Sequence, residues 1–252
     1  MAEVHVFLLC YNEELMLPHT IQHYRSRFPR CHITIFDNVS SDRSVQIAET
    51  LGCRVVPYHT RGQQDEKHLI WVRSHMWKEH VPNDPAHPCW VIMCDMDEWL
   101  DITEEELNGE IAKGTTVITT QGVNMVGESQ RADYSDITLA TISKGYRDNN
   151  MSKRICFQYP TVSMEYWYGA HQCFPQGHVQ SSHTVYLLRH YDYLGEEYVV
   201  DKRRKRWERN ALSRQMGVNG HYSQERATNV AVYREALANA MATENLPAPR
   251  VL

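Results

Sequence analysis

Four times in the first hundred residues, a short apolar run of strand length ends in polar groups and gives way to a helix-period segment. Residues 4–9 form such a run. Tyr11-Asn12-Glu13-Glu14 is expected to open the helix that follows, where Leu17, Ile21, Tyr24 and Phe28 make one apolar face. Residues 32–36 are a second strand ending at Asp37-Asn38. Ser40, Ser41 and Asp42 then supply capping chemistry for a helix with Val45, Ala48 and Leu51 inward, and Gly52 stops it. Residues 54–58 are a third strand, and Leu69, Val72 and Met76 mark a third helix with Trp71 and Met76 expected in the core. Residues 90–94 are a fourth strand that runs straight into Asp95-Met96-Asp97-Glu98-Trp99. Such alternation implies an α/β fold: a mostly parallel sheet with right-handed crossovers and helices on its faces. Ligands on such sheets bind beyond the carboxyl ends of the strands. Tyr11, Asp37 and Asp95 lie at those ends, so three polar groups far apart in sequence are expected to share one crevice.

The second half is less regular. Thr103 with Glu106 three residues on has the form of a capping box opening an acidic helix. Residues 115–127 alternate as a strand, residues 128–150 read as a long functional loop, and residues 154–159 and 184–189 as strands around an aromatic, His-rich stretch. From Tyr193 the chain is helical and charged. With no repeat and no linker, residues 1–252 are expected to form a single domain.

Composition excludes several classes. Hydrophobic residues are 42 % and charged residues 23 %, the balance of a globular chain, and the net charge of −5 argues against general nucleic-acid binding. No apolar run approaches the roughly 18–20 residues that cross a bilayer. Met1-Ala2-Glu3 enters a strand at once, so no signal peptide and a cytoplasmic location are expected. Seven cysteines without CxxC spacing read as reduced thiols rather than disulfides or a zinc site.

Asp95-x-Asp97 at the end of a buried strand is the strongest chemical signal. Two adjacent carboxylates repel unless a cation or proton intervenes, and a divalent ion on oxygen ligands also grips phosphates. These residues resemble a known family. Residues 6–14, the segment Ile33-Thr34-Ile35-Phe36-Asp37-Asn38-Val39-Ser40-Ser41-Asp42 and the segment 91–100 look like three ordered motifs of family 2 glycosyltransferases of the GT-A fold. Residues 152–198 are similar, more loosely, to the C-terminal part of one branch. Asn38 stands where the family usually has a second Asp, Val39 stands for Gly, and no Glu-Asp dipeptide marks a general base.

The resemblance implies a GT-A fold with a nucleotide-sugar-binding half, residues 1–100, and an acceptor-side half, residues 101–252. It implies an inverting transferase that takes its donor, a UDP-sugar before a TDP- or GDP-sugar, to a glycan or other hydroxyl acceptor. Cys10, Tyr11, Asn12 and Glu14 would line the nucleoside pocket. Asp37 would accept from the base and Asn38 would lie near the ribose. Asp95, Met96 and Asp97 would meet the donor, with Asp95, Asp97 and His171 holding Mn²⁺ or Mg²⁺; His178, His183 and His190 are the alternatives to His171. Lys67, His68 and Arg73 are candidates for the diphosphate or the uracil edge. An inverting transferase needs a base for the acceptor hydroxyl. Glu165, close to His171 in sequence, ranks first and Asp148 second, ahead of Glu128, Asp133 and Asp136. Trp167 and Tyr168 could stack on a sugar or pack in the core.

The run Lys202-Arg203-Arg204-Lys205-Arg206 reads as a solvated helix with intrahelical pairs, with phosphate or peripheral membrane contact as the alternative. Two rival functions use the same carboxylates: a metal-dependent phosphotransferase or nucleotidyltransferase, and a nucleotide-sugar-binding module without turnover. Glu98-Trp99 after the carboxylates argues against a haloacid-dehalogenase-like phosphatase.

Overall fold

The computed structural model describes residues 2–131, 133, 136, 138–215, 217 and 222–246. The order is β1 (Val4–Cys10), α1 (Leu17–Arg27), β2 (His32–Asp37), α2 (Ser44–Thr50), β3 (Arg54–Pro57), α3 (Glu66–His75), β4 (Cys89–Asp95), β5 (Glu98–Asp101) and α4 (Glu104–Ala112). It continues with β6 (Val117–Val126), β7 (Lys144–Arg147), β8 (Cys156–Tyr159), β9 (Val162–Tyr166), β10 (Cys173–Gly177), β11 (Ser181–Tyr193), α5 (Glu196–Arg209), α6 (Ala211–Gln215), α7 (Arg226–Asn239) and β12 (Met241–Ala242). Ten strands form one mixed sheet in the order β12-β7-β6-β8-β4-β1-β2-β3, with β11 joining β6 and β5. The β4-β1-β2-β3 block and the β6-β11 pair are parallel. β8 runs antiparallel between β4 and β6, which points the carboxyl ends of β1, β4, β6 and β11 to the same edge.

All seven residues of β1 are buried, as expected of a strand covered on both faces. Val4, Val6, Leu8 and Cys10 pack with Leu17, Ile21 and Tyr24 of α1 and with Phe28 just after it on one side. Phe7 and Leu9 pack with Leu69 and Val72 of α3 and with Trp77 on the other. The capping box at Thr103 and Glu106 is formed. All seven cysteines are free, five of them buried. No helix among the described residues is long and apolar enough to cross a membrane.

Several expectations are corrected. Tyr11 does not open a helix. Residues 11–16 are a loop tied to the segment after β2 by bonds from the Asn12, Glu13 and Glu14 amides to Ser40, Ser44 and Asp42. α1 starts only at Leu17, where Pro18 sits in the first turn and its missing N–H costs nothing. Residues 98–101, for which the sequence predicts no element, are the strand β5, paired with β11. The loop of residues 128–150 contains β7, and the aromatic stretch contains β10, which forms a hairpin with β9. Trp71 is 49 % exposed rather than in the core, because α3 turns Leu69, Val72 and Arg73 inward instead.

Candidate active site

A cleft of about 540 Å³ opens beyond the shared carboxyl edge. β1 contributes Cys10 and, through its loop, Tyr11 and Glu13. β4 contributes Asp95, and Met96 and Asp97 follow it. β6 contributes Asn124, β11 contributes His190 and Asp192, and α5 contributes Arg203, Arg206 and Arg209.

Asp97 is 4 % exposed, and its neighbours are basic. Lys202 Nζ lies 2.6 Å from Asp97 Oδ2, His190 Nε2 at 3.5 Å and an Arg206 Nη at 3.6 Å. Burial alone would raise the Asp97 carboxyl, but Lys202, His190 and Arg206 hold it well below the usual range. Asp192 shares Lys202 at 2.6 Å and is held low in the same way against its own burial. Asp95 belongs to a separate pair of cations, Arg73 at 2.7 Å and Lys153 at 3.6 Å. Burial opposes them, yet they bring its carboxyl down to about 2. Glu13 is the contrary case. Burial and the charge of Asp97 push it up to about 7, above the opposing pull of Lys202 and Arg206.

Asn124 and His190 are register partners on the parallel strands β6 and β11, so their side chains meet. The Asn124 amide nitrogen donates to Asp148 Oδ2 at 3.1 Å, which turns its oxygen toward His190 Nδ1 at 2.7 Å. The Nδ1–H of His190 donates to that oxygen, which leaves Nε2, 3.5 Å from Asp97, as the ring's candidate ligand atom. Asp97, His190 and Asp192 each offer an atom within 4.8 Å of the others. Carboxylate oxygens and an imidazole nitrogen fixed by its second nitrogen's hydrogen bond suit Mn²⁺ and accept Mg²⁺. The residues therefore fit a divalent ion, but with His190 and Asp192 rather than the expected Asp95 and His171. Asp95 pairs with Arg73 and Lys153 and lies outside the cluster of Asp97, His190 and Asp192. His171 borders the cleft, and its Nδ1 lies 2.7 Å from the Asn150 carbonyl, outside the cluster.

Of the residues singled out in the sequence, Cys10, Tyr11, Asn38, Arg73, Asp95, Met96, Asp97, Asp148 and His171 border the cleft. Met96 is 1 % exposed, with its carbonyl held by Thr20 at 2.6 Å. Arg73 is buried, and its Nη1 has no hydrogen-bond partner among the described residues. Asp148 sits on a tight turn brought against β6 by Gly122, where a Cβ would lie 2.3 Å from the Met151 backbone.

Five residues do not line the cleft. Asn12 accepts the Ser41 amide at 2.7 Å and borders a smaller neighbouring cavity. Glu14 pairs with Arg43 at 3.0 Å, and Glu13, one position earlier, takes the inward place. Both oxygens of Asp37 are occupied by Ser40, through its hydroxyl at 2.6 Å and its amide at 3.0 Å, and Asn38 faces the cleft instead. That removes the ground for preferring a uracil base. Lys67 points outward, since the 100° step per residue puts Glu66, Leu69 and Arg73 on the cleft side of α3. Glu165 alternates away from Met164 and Tyr166 on β9 and lies 3.6 Å from His75 and 3.9 Å from Lys78, outside the cleft.

The basic run is not a solvated face. Lys202 and Arg206, four apart, turn to the carboxylates, and Arg203 is buried against Asn229. Only Arg204 and Lys205 make the expected outward pairs, both with Asp201. Arg209 lies 3.2 Å over the Tyr11 ring. Sequence reasoning missed Glu13, Asn124, Lys153 and Asp192. Only the i, i+4 spacing of Lys202 and Arg206 carried a local signal.

No family model matches the chain. It is 36 % identical to protein RfbJ of Shigella flexneri over 59 residues, 23 % of this chain and 46 % of that protein. Among solved structures it is similar to S. aureus TarS, with a TM-score of 0.48, 12 % identity, and coverage of 94 % of this chain and 43 % of that one. It is also similar to the mannosyltransferase PcManGT of Pyrobaculum calidifontis in complex with GDP-Man and Mn²⁺, with a TM-score of 0.44, 8 % identity, and coverage of 94 % and 74 %. The chain spans under half the length of RfbJ and of TarS.

Proposed function

We propose that this chain is a metal-dependent glycosyltransferase of the GT-A type, moving a sugar from a nucleotide-sugar donor to a hydroxyl acceptor with inversion. The observation that carries the reading is the Asp97, His190 and Asp192 cluster, set at the carboxyl edge of the sheet inside a cleft lined with cations. The three motifs that resemble family 2 glycosyltransferases end at that same edge.

In this reading Asp97, His190 and Asp192 hold the divalent ion. Its chemistry is to draw charge from the diphosphate as the glycosidic bond breaks. Arg206 lies beside these ligands and Arg209 on the neighbouring rim, a pair of guanidiniums suited to phosphate oxygens. Tyr11 lies under Arg209, and the stacked pair forms one rim of the cleft for the base to meet. Asp148 is the candidate to take the acceptor hydroxyl's proton; Asn124 donates to its Oδ2 at 3.1 Å and the Asn150 amide to its Oδ1 at 2.9 Å, which together fix the carboxylate at the cleft. Trp167, half exposed and edge-on to Tyr168, offers a platform for the acceptor near His171.

The test is calorimetric titration of UDP-, GDP- and TDP-sugars with Mn²⁺ and with EDTA, on the wild type and on Asp97→Asn. Binding of one nucleotide class that needs both Mn²⁺ and Asp97 supports the reading and identifies the base. Absence of binding by every sugar nucleotide in Mn²⁺ overturns it.

A further inference from the structure

The cation between the two carboxylates is the feature this reading does not use. Lys202 Nζ lies 2.6 Å from Asp97 Oδ2 and 2.6 Å from Asp192 Oδ1, with its side chain 12 % exposed. Arg206, one turn on, stands 3.6 Å and 3.9 Å from the same carboxylates. These are the oxygens that would hold the divalent ion. An ion at about 2.0–2.1 Å from them would share its ligands with the ammonium and repel it.

α5 packs on the core through Val199 and Tyr198 and on α7 through Arg203, while Lys202 and Arg206 hold its cleft side to the sheet by ion pairs. The large cleft lies on one side of Arg206 and Arg209. The smaller cavity, about 360 Å³ and walled by Tyr11, Glu13, Tyr198 and Lys202, lies on the other. Arg206 and Arg209 thus border both cavities, which leaves room for the long side chains on this face of α5 to rearrange.

We infer that Lys202 is the resident counter-ion of the Asp97–Asp192 pair and competes with the divalent ion for it, so that metal enters as Lys202 leaves. The inference rests on the metal-dependent reading. Charge balance drives the exchange: the two carboxylates keep a cation throughout, and the freed ammonium is left at the mouth where the donor diphosphate brings new negative charge.

Mn²⁺ alone is the probe, and the loss of the free-ion electron paramagnetic resonance signal reads its binding. Lys202→Met is expected to bind Mn²⁺ at least about ten-fold more tightly than wild type, because the site no longer has to be vacated. Equal or weaker binding by Lys202→Met, with wild type still taking Mn²⁺ together with a sugar nucleotide, overturns the inference and leaves the transferase reading standing. Failure of both proteins to bind Mn²⁺, with or without sugar nucleotide, overturns the transferase reading itself.

A second readout needs no variant. Acetylation of wild-type Lys202 by acetic anhydride, followed by peptide mass spectrometry, is expected to rise several-fold when Mn²⁺ saturates the site. Unchanged labelling at saturating Mn²⁺ overturns the exchange.

Discussion

Replacing Lys153 by Met keeps most of the side-chain volume and deletes one buried cation. Lys153 is 2 % exposed and Glu98 1 %, and Nζ lies 2.5 Å from Glu98 Oε1 and 3.6 Å from Asp95 Oδ2. The two carboxylates differ in what remains to them. Asp95 keeps Arg73 at 2.7 Å, while Glu98 keeps the Asp95 backbone amide at 3.2 Å but loses its ion-pair partner. The loss is therefore that of one uncompensated buried carboxylate, about 3–5 kcal/mol. That is a large fraction of the roughly 5–15 kcal/mol that holds a domain together. Urea unfolding at neutral pH, followed by tryptophan fluorescence, measures it as a lower midpoint at unchanged slope. The double variant Glu98→Gln with Lys153→Met removes charge from both partners and should recover about 2 kcal/mol or more. A single-variant cost below about 1 kcal/mol, or a double variant no more stable than the single, refutes the reasoning.

Three further outcomes follow from local geometry. Val39 is 49 % exposed with φ +57°, a left-handed backbone that a β-branched residue pays to adopt. Val39→Gly should gain about 0.5–1 kcal/mol in thermal or urea unfolding after the extra entropy of a glycine in the unfolded chain is set against it. Thr103→Ala removes the acceptor for the Glu106 amide and should lose about 1 kcal/mol in the same assay. Glu13 has its folded carboxyl raised from 4.5 to about 7, so its ionisation destabilises the fold as pH rises through that interval. Glu13→Gln should then match wild type at pH 4.5 and exceed it by up to about 3 kcal/mol at pH 8; equal stability at both values would remove the burial argument.

The elements that were legible are those whose signal is local. β1, β2 and β4 announced themselves as buried runs, and α1 through its 17, 21, 24, 28 stripe, because period and burial are written within a dozen residues. The capping box at Thr103 needed only four. β5 escaped because Glu98-Trp99-Leu100-Asp101 is too short to show a period, and its pairing with β11 lies ninety residues away. The five-cation run misled for a different reason. Charge says nothing about direction until the helix is docked, and then two positions separate an exposed Arg204 from a Lys202 or Arg206 facing Asp97.

The sequence by itself determined that the chain is an α/β protein with carboxylates at a strand end, since alternation and burial are properties of short segments. Which groups join Asp97 was decided only by the tertiary structure. His190 and Asp192 reach it because β11 pairs with both β5 and β6, a pairing that brings Asn124 to His190 and so turns the imidazole, with a register shift between His190 and Tyr193. A one-residue slip would send each of these side chains to the other face of the sheet. The site is therefore a consequence of long-range pairing, which no local pattern encodes.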